Sequence, residues 1–404
     1  MNKHKVWIIN QYTSPEEFGY HSKYHFLSKE LIKKYDIKIF SSSSSAHHDF
    51  KLKNLKSKNL FHFDGIDYVL FKNRFQKNTT LSKILSSVEF SLRIIFDFCY
   101  AFREKPKIVL ISVPNSIITF PTIFLFKLIG SKIIVEVRDI WPLAQIKLRN
   151  LSYFHPFYII YKILELFFHR YSDYIISPIK DYGYYLSEYH IRTKNFQFIP
   201  QAVHIRDYHK KSEKDDSKLI GIYSGDINSF CAFEEFLESI KIINNKNIQC
   251  EFILIGGGEQ LDFGREYISK NNLSNVKLLG KMSKKELYQI LDNKNIDFAI
   301  SLGPRIGTEL YNKYGLSSLK LYDYMNYNLP VFFTALNNSD LNEDLGSFFC
   351  LGVTTEEISS HLEKFLKNIK EHKTKALKSR LFLKDNRSIS VVASKIDKLF
   401  CELL

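Results

Sequence analysis

A lysine and a carboxylate stand three residues apart in GLSSLKLYDYMNYNLPVFF, residues 315–333. The spacing predicts a helix over 318–327, a turn at Asn328 and Pro330, and then a buried strand. Lys320 and Asp323 would share one face of that helix, with Leu319, Tyr322 and Met325 packing inward. The helix N-terminus adds backbone N–H groups that favour anions. Such a corner can hold a diphosphate through Lys320 and the N–H groups, and a sugar hydroxyl through Asp323. The competing reading is an amphipathic helix carrying a surface ion pair.

Further polar residues sit where strand-like runs give way to loops. Gly256 and Gly257, followed by Gly258, end the run CEFILI, and their backbone N–H groups can approach a phosphate. A tight strand-to-loop turn would explain them equally. Neither the G-x-G-x-x-G fingerprint nor a P-loop is present. Arg305, in LGPRIG, offers a guanidinium able to chelate phosphate oxygens, or else a surface charge beside Pro304. Arg138 and Asp139 close a strand, where α/β sites collect polar groups, or else pair with one another. His21 and His25 stand four apart on a helix face, without the carboxylates at metal spacing that a zinc site would need. Glu16 and Glu17 have no such context.

These residues need a frame, and the chain alternates strand and helix signals, the mark of parallel α/β architecture. The runs KVWIINQY, DIKIF, GIDYVLFK, KIVLISV, KIIVEV, DYIISP and FQFIPQAV are interleaved with helical periodicity over 20–34, 81–103, 156–171 and 181–189. Residues 205–218, IRDYHKKSEKDDSK, are charged and nearly devoid of large aliphatics, as in a linker. The alternation then restarts with KLIGIYSG, CEFILIGGG, NVKLLG, DFAISL and LPVFFTA, between helices over 232–243, 263–271, 284–293 and 318–327. Two more helices, from Thr355 and from Ser388, end the chain. The expected division is a domain over 1–204, the linker, a second domain over 219–385, and a terminal helix over 386–404 packing back on the first domain. Each domain should be a doubly wound, Rossmann-like α/β unit, with ligands beyond the strand C-termini, in the cleft between the two.

A chain of 404 residues, 45% hydrophobic and 25% charged, can build both cores. Its five cysteines lack C-x-x-C spacing, so neither a zinc site nor a disulfide framework is expected, and a reducing cytoplasm suits it. Met1 to Lys5 leads straight into a strand without a signal-peptide pattern, and no apolar run reaches the roughly 18 to 20 residues that span a bilayer. The net charge of +14 points to phosphorylated substrates, anionic lipid or simply solvated lysine-rich faces. Nucleic acid is not expected as a partner, because no dense basic cluster or known module accompanies the charge. Around 153–171, Phe154, Phe157, Tyr158, Tyr161, Leu164, Phe167 and Phe168 crowd one helix beside Lys162 and Arg170. They suit a core helix or a membrane-interface helix.

Two segments together carry a resemblance. Residues 315–333 resemble the signature P-S-K-x-x-E-Y-M-A-x-G-x-P-V of the family 4 glycosyltransferases, with Lys320, Tyr324, Met325 and Pro330 in place. Asp323 stands for the usual Glu, Ser318 for Pro and Asn328 for Gly. VEVRDIWPLAQI, about 180 residues upstream, is similar to the "RDLWP" element of the branch that builds bacterial surface polysaccharides. The resemblance implies a GT-B fold and a retaining transferase, acting at the inner face of the membrane or in the cytoplasm. Its donor would be a nucleotide-sugar, UDP-linked, and its acceptor a saccharide or polyprenyl-linked saccharide. No metal or other cofactor is implied. It further implies that Gly19 and Gly225 lie in donor-binding loops, that Asp139 faces the acceptor side, and that Asp323 contacts the nucleotide ribose. One departure stands out: no Arg or Lys occurs between Gly225 and Lys241, where the family grips the diphosphate. That shifts the phosphate to Lys320, Arg305 and backbone amides. A GT-B sugar-nucleotide epimerase and a catalytically inactive GT-B scaffold are the alternatives.

Overall fold

The structure, a computed structural model, describes residues 3–15, 23–43, 56–75, 79–113, 116–206, 218–246, 248–305, 307–334, 343–350 and 352–404. The chain divides into two units, the first comprising Met1–His204 with Arg387–Leu404, the second Ile205–Asn386. Most of the sequence's expected linker lies outside the described residues.

The first unit runs β1 (His4–Ile9), α1 (Lys23–Leu31), β2 (Tyr35–Ser42), β3 (Lys58–Phe63), β4 (Ile66–Phe71), α2 (Thr80–Phe96), α3 (Phe98–Glu104), β5 (Ile108–Val113), α4 (Thr119–Leu128), β6 (Lys132–Val137), α5 (Leu143–Leu148), α6 (Pro156–Tyr171), β7 (Tyr174–Ser177), α7 (Tyr182–Glu188) and β8 (Phe196–Phe198). The strands form one eight-stranded sheet in the order β3-β4-β2-β1-β5-β6-β7-β8. All pairs are parallel except β3 with β4. Runs such as IVLISV and KIIVEV form central strands because helices cover both faces, so nearly every side chain must be apolar. The strand β3 escaped the sequence reading, since its residues are alternately half-buried and exposed. Its signal was Asp64-Gly65, whose positive φ values of 50° and 79° make a two-residue hairpin turn between Phe63 and Ile66. The single helix expected over 81–103 is two, broken at Asp97 (φ −86°, ψ 3°).

The second unit continues with β9 (Leu219–Ser224), α8 (Phe233–Asn244), β10 (Cys250–Ile255), α9 (Leu261–Lys270), β11 (Val276–Gly280), α10 (Lys284–Asn293), β12 (Phe298–Leu302), α11 (Thr308–Tyr314), α12 (Leu319–Asn326), β13 (Val331–Thr334), β14 (Ser347–Cys350), α13 (Thr355–Lys367), α14 (Ile369–Ala376) and α15 (Ser379–Asn386). Its sheet is wholly parallel, ordered β11-β10-β9-β12-β13-β14. This is the 3-2-1-4-5-6 arrangement of a Rossmann unit, and the order reverses between β9 and β12. Phe233, Phe236, Leu237 and Ile240 of α8 pack with Phe298, Phe332, Leu362 and Phe365 in one buried cluster. Each fully buried side chain of that size contributes roughly 1.5 to 3 kcal/mol.

The last helix, α16 (Ile389–Leu403), belongs to the first unit. It lies against α1, where Val392, Ile396, Leu399 and Phe400 join the core built by Leu27, Leu31 and the strands. The hydroxyl of Tyr35 donates to Asp397 at 2.9 Å, and its ring meets Phe400 edge-on at 5.2 Å.

Candidate functional site

The helix α12 starts after Ser318, which has extended backbone and no side-chain cap, so its first N–H groups lack that local partner. It buries Leu321, Tyr322, Tyr324 and Met325. It ends at Tyr327, followed by Asn328 at φ 52°. Asparagine there is the next choice after glycine for a left-handed residue closing a helix, which accounts for one departure from the signature. The Tyr324 hydroxyl accepts the backbone N–H of Ser224 at 2.8 Å, fixing α12 to the end of β9.

Lys320 is placed by that tie. Its Nζ lies 5.3 Å from the centre of the Tyr223 ring, above the C-terminal end of β9. Burial lowers its pKa, against a weaker upward pull from Cys231 and Asp226. Among the described residues the ammonium has no hydrogen-bonded or ion-paired partner. A half-buried, unpaired cation at the point where the strand order reverses is the arrangement an anionic ligand would complete.

The glycines around it separate into two kinds. A Cβ on Gly225 would come within 2.7 Å of the Tyr223 hydroxyl and 3.3 Å of Lys320 Nζ, so any side chain there would crowd the lysine. A Cβ on Gly256 would sit 1.9 Å from the carbonyl oxygen of Gly225, so that glycine is required by the close passage of two strand ends. Its N–H already donates to Gly280 O at 2.9 Å, which corrects the expectation that this amide is open to a phosphate. At Gly257 a Cβ would make ordinary contact with Lys281 at 3.4 Å, and its carbonyl accepts Ile227 N–H at 2.9 Å.

Asp323 is paired with α10 and not with Lys320. Its carboxylate accepts from the Tyr288 hydroxyl at 2.8 Å and from Lys284 Nζ at 3.2 Å, both on α10. Burial alone would lower the Lys284 pKa, and Asp323 more than offsets this. The Arg206 guanidinium stacks 3.7 Å over the Tyr288 ring. The expected shared face of Lys320 and Asp323 is therefore not realised as a shared site: the aspartate clamps α12 to α10. Arg305 also has a partner, forming an ion pair with Glu235 of α8. Together with Ser229 and Thr354 they line a separate hollow of about 610 Å³.

In the first unit, Asp139 is exposed in the loop after β6, where its carbonyl accepts Trp141 N–H at 2.9 Å. The sequence reading missed its neighbour Glu136, 1% exposed, which pairs with Lys23 and accepts from Ser112 Oγ at 2.6 Å. Burial would raise the Glu136 pKa, but Lys23 and Arg138 draw it down to about 2. A glutamate inside the apolar strand KIIVEV was the available signal. His25 hydrogen-bonds Tyr68 at 2.9 Å and Asp64 at 3.2 Å. Gly19, Glu16, Glu17 and His21 lie outside the described residues. Among the described residues no three His, Cys, Asp or Glu side chains cluster so as to hold a metal ion.

No protein-family model matches the chain, and no curated protein matches it. Solved structures do resemble it. Sucrose-phosphate synthase from Thermosynechococcus elongatus aligns with a TM-score of 0.72 at 10% identity, over 99% of this chain and 99% of that one. HepE from Anabaena, in complex with UDP-glucose, gives a TM-score of 0.68 at 12% identity, over 99% and 100%. WaaG, a glycosyltransferase involved in lipopolysaccharide biosynthesis, gives 0.64 at 10% identity, over 98% and 99%. The fold is that of the GT-B glycosyltransferases, two parallel-sheet Rossmann-like domains, as the sequence led us to expect.

Proposed function

We propose that the protein is a retaining glycosyltransferase that moves a sugar from a UDP-linked donor to a lipid-linked saccharide during surface-polysaccharide assembly. The observation that carries this reading is Lys320, a half-buried amine with no hydrogen-bonded or ion-paired partner among the described residues, over the end of β9 at the strand-order switch. The fold neighbours lend support: HepE is seen with UDP and with UDP-glucose, and WaaG acts in lipopolysaccharide biosynthesis.

In this mechanism Lys320 and the N–H groups opening α12 stabilise the charge that develops on the leaving diphosphate. The diphosphate oxygen takes the acceptor's proton. Gly225 leaves room for the phosphate beside the lysine. Asp323 acts as a positioning residue through Lys284 and Tyr288, and reaches a ribose hydroxyl only with a lone pair those partners leave over. Arg305 is free for phosphate only when Glu235 releases it. We assign Asp139 to the acceptor side and the Gly19 loop to the donor, with the protein peripheral on an anionic inner membrane face. No metal takes part.

The test is a thermal-shift screen across UDP-, GDP- and dTDP-sugars, followed by product analysis with and without a saccharide acceptor. A UDP-sugar response with acceptor-dependent glycoside formation is expected. Free or epimerised sugar formed equally without acceptor would overturn the transferase reading in favour of an epimerase.

A further inference from the structure

One face of the first unit's sheet is covered by α2, α4 and α6, with α4 packed against both neighbours. Phe120 of α4 lies 4.8 Å from Phe167 of α6. Each helix buries its inward side, through Phe90 and Ile94, Ile123 and Phe126, Tyr161 and Phe168 respectively. Their outward sides are apolar as well. Phe96 is 80% exposed, Phe124 57%, Leu128 65% and Ile163 61%. The spacing of Phe120, Phe124 and Leu128, and of Ile159, Ile163 and Leu166, makes each a continuous stripe along its helix. Sixteen of the 24 large apolar residues exposed among the described ones fall between Leu81 and Tyr171.

Seventeen residues of α2 span roughly 25 Å, and helices pack about 8 to 10 Å apart, so the face covers on the order of 500 Å². Such a patch on a water-exposed surface calls for a partner. Charge decides which one. Positions 80–171 hold twelve Lys and Arg against six Asp and Glu. Glu89 of α2 pairs with Arg93, Asp97 at its end with Lys58, Glu104 of α3 with Lys5 and buried Glu165 of α6 with Lys162. Lys83 on α2, Arg170 on α6, and Arg103 and Lys105 at the end of the adjoining α3 stay exposed. A second copy would bring like charges together, whereas an anionic bilayer meets both the cations and the apolar residues.

We propose that the outward face of α2, α4 and α6 is a docking surface for an anionic lipid bilayer. Phe96, Phe124, Leu128 and Ile163 enter the headgroup layer while the surrounding lysines and arginines hold lipid phosphates. No described helix is long and apolar enough to cross the membrane, so the contact is peripheral. The two roles that the sequence left open for the aromatic stretch over 153–171, core and membrane interface, are divided among its residues. Tyr161 and Phe168 are buried beneath the helix, whereas Phe154 just ahead of it and Tyr171 at its end are exposed beside Ile159, Ile163 and Leu166. The purpose rests on the lipid-linked acceptor proposed above, but the surface itself does not.

The test is flotation of the full chain with phosphatidylcholine vesicles, alone or mixed with phosphatidylglycerol, at low and high salt. The wild type should float with the mixed vesicles, and high salt should weaken this. Phe124→Asp combined with Ile163→Asp should cut vesicle binding at least about tenfold. Both sites are exposed, so melting temperature and UDP response should hold, as should flotation of a Leu377→Asp control in the second unit. Equal partition of the wild type onto neutral and anionic vesicles, or undiminished binding of the double variant, would overturn the proposal. So would sedimentation showing a lipid-free dimer that the double variant dissolves. A wild type that responds to UDP but does not float on the mixed vesicles removes the docking surface alone. Flotation without any UDP response supports docking and removes the transferase reading instead.

Discussion

The phenol of Tyr324 holds the backbone N–H of Ser224 at 2.8 Å, joining the signature helix to a strand end one hundred residues earlier in the chain. Lys320 stands one turn before that tyrosine on the same helix. Tyr324→Phe removes the bond and leaves the amide unsatisfied, at a cost of about 1 to 2 kcal/mol. We expect a lower melting temperature and a raised KM for the donor. Unchanged KM in a variant of lowered stability would separate the two and remove the positioning role.

Lys320→Ala should cost about 2 to 4 kcal/mol of transition-state stabilisation, read as kcat/KM for the donor, with the circular dichroism spectrum unchanged. Activity within twofold of wild type would withdraw the assignment.

Asp323→Ala should behave differently. It strips Lys284 and Tyr288 of their partner and should destabilise the second unit by about 1 to 3 kcal/mol, the Lys284 amine still reaching water. The signature of a clamp is a fall in melting temperature, partly recovered in Asp323→Asn. A variant with wild-type stability and a raised donor KM would restore the ribose contact.

Glu136 makes a pH prediction. Its pKa is drawn from 4.5 to about 2, so its contribution to stability is full above pH 4.5 and is lost as pH falls toward 2. Glu136→Gln should flatten the melting-temperature profile over that window, and at neutral pH should destabilise by about 3 to 5 kcal/mol because Lys23 is left buried without its counter-ion. Parallel acid profiles for the two proteins would show that the pair does not govern acid stability.

Leaving-group stabilisation by Lys320 and helix N–H groups needs no divalent ion. Turnover should therefore persist in EDTA, and a complete loss restored by magnesium or manganese would overturn the metal-free mechanism.

The frame was legible because central parallel strands are covered on both faces and read as largely apolar runs, as IVLISV, KIIVEV and CEFILI do. Helix ends were legible where one residue does the work, as Asn328 does. The hairpin strand β3 was not, since half-exposed residues dilute the apolar signal. Side-chain partners were the least legible. Spacing put Asp323 beside Lys320, but helix α10, some forty residues away, draws the carboxylate to Lys284 and Tyr288. The proline-free, weakly apolar stretch from Ile369 to Asn386 likewise hid two helices, α14 and α15, behind its charge.

The hairpin at Asp64-Gly65 also bears on how the chain keeps to itself. Without it, the first sheet would end on β4, whose residues after Asp67 are all buried and whose outer row of amides and carbonyls would be free to template another chain. The fold-back sets β3 at that border instead, a strand that begins with Lys58 tied to Asp97 and exposes His62. Two residues in a tight turn thus guard a large parallel sheet against edge-to-edge aggregation.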